Sequence, residues 1–396
     1  MPPAGPVKIL HIITRLDLGG SAENTLLTAI GLANKGHDLT IICGRSDNPP
    51  SSNEKKAVDA GVKIIRMRSL ARRISPGRDL VACTVLWWHL MTRRYHIVHT
   101  HTSKAGVVGR VAARFAPVRR LVHTPHGHIF YGYFSAFLTG FFVWVEWLLI
   151  RWTSVQITLT HKEKEDYLLH GIGPERKNVP VFSGIELTRF LECRADGLVK
   201  RREMGLRDND FVVGTVARLV PVKNHILIVR AADLLRDRVP ELRCLFVGDG
   251  DLRAPLEAEV ARLGLRPHFH FAGWRDDIAE LHATFDVFAM TSKNEGMGRA
   301  FVEAQACGVP VIGTRVGGVG EVLSEGWTGF LIEPDNAAEL ADKLAFLHTN
   351  RDALARLAAN CKDWVRPRFS HDVMVDKIEK IYLELLEPKR RSGVVR

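Results

Sequence analysis

FVVGTVARLVPVKN, residues 211–224, decides the architecture. Residues 211–217 form the short apolar run of a strand buried on both faces, and from 224 to 239 the apolar residues recur at helical spacing. A strand feeding a helix this far into a chain of 396 residues is a fresh start. Downstream, 242–247, 268–272, 287–291, 309–313 and 329–332 read as further strands with helices between them, and 336–386 reads as all helical. Upstream the same alternation covers strands at 7–14, 39–43, 62–67, 96–101, 121–126 and 155–160, with helices at 21–34, 80–94, 104–115 and 161–170. Strands one helix apart imply βαβ units and a parallel sheet. The expected fold class is therefore α/β: two doubly wound, Rossmann-like domains facing each other across a cleft, with C-terminal helices. The polar, charged stretch 182–202 separates them. We draw the domains at 1–190 and 191–370, with 371–396 a C-terminal helix packing back toward the N-terminal domain. Ligands of such sheets lie outside the carboxyl ends of the strands.

Composition narrows the function. Hydrophobic residues make up 46% and charged residues 25%, a globular balance that excludes disorder. Residues 1–190 carry 25 Lys+Arg against 13 Asp+Glu, a balance of +12, whereas 191–396 carry 30 against 31, a balance of −1. The basic half suits nucleic acid, an anionic membrane or a phosphorylated substrate. The six cysteines lie far apart with no CxxC spacing, as expected of thiols in a reducing compartment. The apolar run 9–13 lacks the flanks of a signal peptide, so the expected location is cytoplasmic.

One segment competes with this reading. Residues 129–150 carry a single charge, Glu146, over 22 positions, long enough to span a bilayer. A single crossing would put the strands at 121–126 and 155–160 on opposite sides of the membrane, although both read as members of one sheet. Two readings stay open: a core helix, or a helix dipped into a membrane surface. Tyr131, Tyr133, Trp144, Trp147 and Arg151 suit an interface, as do Trp87 and Trp88 beside Arg93 and Arg94.

Chemistry-bearing residues gather at strand ends. Gly19-Gly20 leads into the first helix, where backbone N–H groups can approach an anion. Arg218 ends a strand and Lys223 starts a helix, and two cations five residues apart can hold a diphosphate. Residues 294–304, Asn-Glu-Gly-Met-Gly-Arg-Ala-Phe-Val-Glu-Ala, place Glu295 on a loop and Glu303 in the following helix. Such carboxylates can accept from sugar and ribose hydroxyls while the glycines free N–H groups for phosphate. His126 precedes Gly127 at another strand end and can donate a hydrogen bond or take a proton. His123, His126 and His128 lack Cys or Asp partners at ligand spacing, so a metal is not expected. His99, His101 and Lys104 could meet an anionic acceptor. Asp208-Asn209-Asp210 precedes a strand and reads as a turn.

These residues resemble the retaining glycosyltransferases of family 4, with the two-Rossmann GT-B fold. Gly19-Gly20, His126-Gly127, Arg218 with Lys223, Val247-Gly248-Asp249-Gly250 and the E-x7-E pair Glu295/Glu303 carry the resemblance in family order over residues 8 to 333. The segment 98–106 with His126-Gly127-His128 looks like a bacterial subgroup that assembles surface polysaccharide. The resemblance implies a metal-independent hexosyltransferase without a cofactor, taking a UDP- or GDP-sugar donor and a lipid-linked or glycan acceptor. Arg218 and Lys223 would neutralise the leaving diphosphate, helped by Gly20 and by the backbone of Gly296, Met297, Gly298 and Phe301. Glu303 would bind the ribose, Glu295 the transferred sugar, and His126 that sugar near its anomeric centre. The base would lie near Gly273, Trp274 and Arg275. Ala217 stands where many members have Gly. The protein would work on the cytoplasmic side, peripherally on an anionic membrane surface, without nucleic acid. Two alternatives compete: a GT-B sugar-nucleotide epimerase, and a non-enzymatic basic protein that binds membrane or nucleic acid.

Overall fold

In the computed structural model, which describes residues 5–17, 19–45, 51, 53–71, 74–127, 136–193 and 196–387, the apolar runs become two parallel sheets. The first holds β1 (Lys8–Ile13), β2 (Asp38–Cys43), β3 (Lys63–Arg66), β4 (Ile97–His101), β5 (Arg120–Thr124), β6 (Val155–Thr158) and β7 (Asn178–Pro180) in the order β3-β2-β1-β4-β5-β6-β7. The second holds β8 (Phe211–Val216), β9 (Leu242–Val247), β10 (Phe269–Gly273), β11 (Val287–Met290), β12 (Val311–Thr314) and β13 (Gly329–Ile332) in the order β10-β9-β8-β11-β12-β13. Both orders reverse beside their first strand, between β1 and β4 and between β8 and β11. The fold is α/β and doubly wound twice, as the alternation requires.

The chain divides into two compact units, Met1–Gly184 with His371–Arg396, and Ile185–Ser370. The division falls at Gly184/Ile185, six residues before the expected 190/191. The reason is local: the Ile185 N–H donates to Phe369 O at 2.9 Å, and Ile185 bridges Ser370, so the chain is already tied to the second unit there.

In the first unit, Ile9, Ile13, Ile41 and Val122 form one core with Met374, Val375 and Ile378 of the C-terminal helix His371–Leu386. A Cβ on Gly31 would lie 2.5 Å from Val375 Cγ2, so only glycine lets the helices Gly20–Asn34 and His371–Leu386 touch. Lys35 Nζ then reaches Asp376 at 2.7 Å and Glu379 at 2.6 Å. On the other face, Leu10, Ile12 and Val98 pack against Leu86 and Leu90 of the helix Pro76–Arg93 and Val108 of the helix Ser103–Arg114.

The long apolar segment contains the helix Ala136–Leu149. Its 14 residues span about 21 Å, short of the ~30 Å hydrocarbon core. Among the described residues no helix is long and apolar enough to cross a membrane. Tyr131, Tyr133 and the rest of 129–135 lie outside the described residues. Its one charge faces inward: Glu146 Oε1 sits 2.7 Å from Arg110 Nη2, both side chains buried, and Arg110 Nε donates to Gly106 O at 2.9 Å. Removing one partner of such a pair costs about 3–5 kcal/mol, so the helix is fastened to the first unit by its only ion. Its opposite side stays bare, with Phe137 88%, Trp144 55% and Phe141 50% exposed.

In the second unit the core gathers Phe211, Val213, Phe246 and Ala289 from the sheet with Leu227, Leu340 and Leu344 from its helices. The helical tail breaks into Ala337–Thr349, Arg351–Phe369 and His371–Leu386 at Asn350 and Ser370.

Candidate active site

The expected residues of the second unit sit on loops or helix starts that follow the carboxyl ends of strands. Arg218 follows β8, Gly248 to Gly250 follow β9, Trp274 and Arg275 follow β10, and Glu295 to Gly298 follow β11. The strand order then does what spacing could not. Because β8 and β11 are neighbours at the switch point, Lys223 Nζ ion-pairs with Glu295 Oε2 across 72 positions of sequence. Ser292 Oγ donates to the same oxygen at 3.2 Å. Both charges are mostly enclosed, with side chains 21% and 15% exposed. Arg218 is exposed, and no ion pair holds its guanidinium among the described residues.

The glycines divide by purpose. A Cβ on Gly248 would collide with the Ala217 carbonyl, and one on Gly250 would lie 2.5 Å from Leu219 O. The Leu219 N–H donates to Asp249 O at 3.0 Å. This loop therefore props the segment that carries Arg218. Gly298, at φ 77, caps the helix Arg299–Ala306. The Met297 and Phe301 side chains are buried, Phe301 edge-on to Phe288 at 5.4 Å between centroids, so they serve the loop as packing. The Phe301 N–H is already donated to Gly298 O at 3.0 Å, and is not an open donor as expected. Glu303 is half-buried in this helix. Trp274 is exposed. Arg275 is tied to Asp277 at 2.7 and 2.5 Å, and with Lys200 it holds that carboxyl well below the usual carboxylate range. Asp208 and Asp210 lie at the amino end of β8 on Arg202 and Arg243, away from this edge.

In the first unit, Gly20 opens the helix Gly20–Asn34. His126 follows β5 at φ 60, a left-handed conformation uncommon outside glycine. Its Nε2 lies 2.9 Å from His101 Nδ1, and the Gly127 N–H donates to Glu163 Oε1 at 3.2 Å. The acceptor-contact expectation is corrected for His99 and His101. Both are fully enclosed beneath the helix His371–Leu386, and burial pushes both imidazoles well below their ordinary range. They are neutral, with no surface to offer an anion. Lys104 is ion-paired with Asp79 at 2.7 Å. His123 points into the other face, against Gly106, where a Cβ would strike its ring. His128 lies outside the described residues. Among the described residues one group could hold a metal ion: His11, His99 and His101, whose ligand atoms lie within 4.8 Å of one another.

Sequence reasoning missed His11, Tyr382, Glu163 and Gly317. The Gly317-Gly318 doublet after a strand was a usable signal for the last. The Gly318 N–H donates to Glu295 O at 3.2 Å and Gly296 O at 3.0 Å, so this doublet holds the loop of Glu295.

Comparison with known proteins finds matches in both units. The family model described as glycosyl transferases group 1 matches residues 198–364, and that described as glycosyl transferase 4-like domain matches 19–181. The chain is 30% identical, over 97% of its length and 98% of the relative's, to the UDP-Gal:alpha-D-GlcNAc-diphosphoundecaprenol alpha-1,3-galactosyltransferase of Escherichia coli. It is 30% identical over 74% of its length, and 77% of the relative's, to the putative glycosyltransferase EpsD of Bacillus subtilis. Among solved structures, Anabaena HepE in complex with UDP shares the fold at a TM-score of 0.81 and 24% identity, covering 95% of this chain and 99% of that one.

Proposed function

Since the chain belongs to the group 1 glycosyltransferases, with a family 4-like first domain, we propose that it moves a hexose, with retention and without a metal, from a UDP- or GDP-sugar to a glycan carried on a lipid diphosphate. The single observation that carries this reading is the meeting of Lys223 and Glu295 at the switch point, with exposed Arg218 on the same edge. Departure of a nucleoside diphosphate needs fixed positive charge at the leaving oxygens. An ammonium has three donors, so Lys223 can keep Glu295 and still reach a phosphate oxygen. Glu295, held by Lys223 and Ser292, accepts from hydroxyls of the transferred sugar. Glu303 takes the ribose, and 273–275 border the base. His126 contacts the transferred sugar near its anomeric centre. A second carboxylate acting as nucleophile is not required: the leaving phosphate itself takes the acceptor's proton from the same face.

The lipid-linked acceptor is supported by the diphosphoundecaprenol sugar in the relative's name and by the first unit's surface. The helix Pro76–Arg93 exposes Leu80, Val81, Val85 and Trp88 on one stripe, and the helix Ala136–Leu149 exposes Phe137, Phe141, Trp144 and Trp147. Both helices pack on the helix Ser103–Arg114. Arg151 lies 3.9 Å from the Trp147 ring centroid. Aromatics interleaved with arginine suit the headgroup layer of an anionic membrane, with the protein on the cytoplasmic side. The relatives named above are transferases, and the epimerase reading draws no support from them.

The test is a donor screen. With a chelator present, one UDP-, GDP- or ADP-sugar should lose its sugar to a polyprenyl-diphosphate glycan, with the donor's anomeric configuration kept in the product. Isomerised donor without acceptor, or no turnover of any donor, would sink the proposal. The protein should also float with anionic vesicles and not with neutral ones. Phe137→Asp with Trp144→Asp should cut the floated fraction at least about tenfold, since each ring buries on the order of 2 kcal/mol of apolar surface. Equal flotation of the variant would remove this surface from the proposal.

A further inference from the structure

Behind His126 lies a run of aromatic side chains that the chemistry above leaves unused. His126 Nε2 is 2.9 Å from His101 Nδ1, and His101 Nε2 is 2.9 Å from His11 Nδ1. His11 Nε2 faces Tyr382 Oη at 3.5 Å. That hydroxyl is 2.5 Å from His99 Nδ1, and His99 Nε2 is 2.8 Å from Thr124 Oγ1. His11 sits on β1 and His99 and His101 on β4, the two strands of the switch point, on the face covered by the helix His371–Leu386.

The links are not independent. A neutral imidazole donates from one nitrogen and accepts at the other. If His126 donates from Nε2, His101 accepts at Nδ1 and must donate from Nε2 to His11 Nδ1. His11 then donates from Nε2 toward Tyr382. Reversing one link reverses all of them. The interior rings of His11, His99 and His101 are fully enclosed, and burial disfavours a charged imidazole. A charged ring does not interrupt the series. His126 itself holds a left-handed backbone conformation that is strained for a residue with a Cβ, so its surroundings must over-determine its place.

We propose that His101, held in place by His11 and Tyr382, is a positioning residue for His126, fixing its ring at the sheet edge through the contact of His101 Nδ1 with His126 Nε2. This rests on the function proposed above, in which His126 contacts the transferred sugar. A sugar hydroxyl near the anomeric centre then meets a ring held in one place.

Three substitutions separate positioning from packing. His101→Asn keeps a polar atom where Nδ1 stood, facing His126. His101→Gln keeps one where Nε2 stood, facing His11. His101→Leu keeps neither. Turnover per folded molecule should fall roughly 10- to 100-fold in His101→Gln and His101→Leu, as a misplaced reacting group costs. It should stay within about threefold in His101→Asn, and the donor KM should change little in all three. Equal losses in the three, or none, would overturn the proposal. Imidazole 15N spectra of histidine-labelled protein give a readout that does not need turnover. The His126 signals, identified by their loss in His126→Gln, should move in His101→Gln and His101→Leu and stay in His101→Asn. If the wild type turns over no sugar nucleotide, the functional reading fails while these spectra still decide the positioning. One equivalent of transition metal in wild-type protein, lost in His101→Leu, would overturn the series in favour of a metal site.

Discussion

Lys223→Ala is expected to lower turnover about 100- to 1,000-fold at saturating donor, the loss seen when a preorganised charge at the developing anion is removed. The geometry gives a reason to expect a larger loss here than at Arg218. Lys223 is largely enclosed and already oriented by Glu295, which Ser292 holds in turn. Its charge acts where solvent screens little. Arg218 is exposed, so Arg218→Ala should cost less, about tenfold, and more of that cost should fall on the donor KM. Lys223→Ala should also lower the melting temperature, because it leaves the mostly enclosed Glu295 carboxylate without its ion pair, whereas Arg218→Ala, at an exposed residue, should barely change it. Lys223→Arg should not restore the rate, since a planar fork cannot keep Glu295 and a phosphate oxygen with one compact centre. Steady-state kinetics for the three variants beside their melting temperatures check this. Wild-type turnover in Lys223→Ala at saturating donor would remove the diphosphate assignment.

The physical basis of the fold was largely open to reading from residues. Strands of a parallel sheet are buried on both faces, so 211–217 or 242–247 stand out as mostly apolar runs. What escaped lacks that signature. β7 is three residues ending in Pro180, and the helix Asn53–Asp59 is mostly polar. The candidate site was readable in kind but not in pairing. Lys223 and Glu295 are each recognisable at a strand end, yet their contact follows from β8 lying beside β11, and strand order leaves no mark on composition. His99 and His101 show the opposite failure. Polar residues near the end of a strand suggest a ligand edge, but their cover is the helix His371–Leu386, whose Tyr382 meets His99 across 283 positions. The Ala136–Leu149 helix sits between these cases. Its one charge, Glu146, left the segment long enough to read as a span, and is the ion that fastens it to Arg110.

Gly317→Ala should cost activity about as much as removing a charged group, although residue 317 offers no side chain to any substrate. Gly317 sits at φ 48, where any other residue is strained by about 1–2 kcal/mol. The larger effect is steric. A methyl group there would collide with the Glu295 carbonyl oxygen, which belongs to backbone and cannot swing aside. The 294–298 loop must therefore move, and the neighbouring Gly318 N–H bonds to Glu295 O and Gly296 O stretch or break with it. Displacement of Glu295 by about 1 Å separates it from Lys223, and misplacement on that scale costs about 100-fold in rate. The expected result is a folded protein with a lowered melting temperature and turnover reduced about 100-fold. Gly320→Ala is the control: a Cβ there lies 3.6 Å from Leu331 Cδ1, an ordinary contact, and turnover should stay near wild type. A Gly317→Ala variant as active as the control would show that the position of the Glu295 backbone does not limit the reaction, and would take Glu295 out of the proposed site.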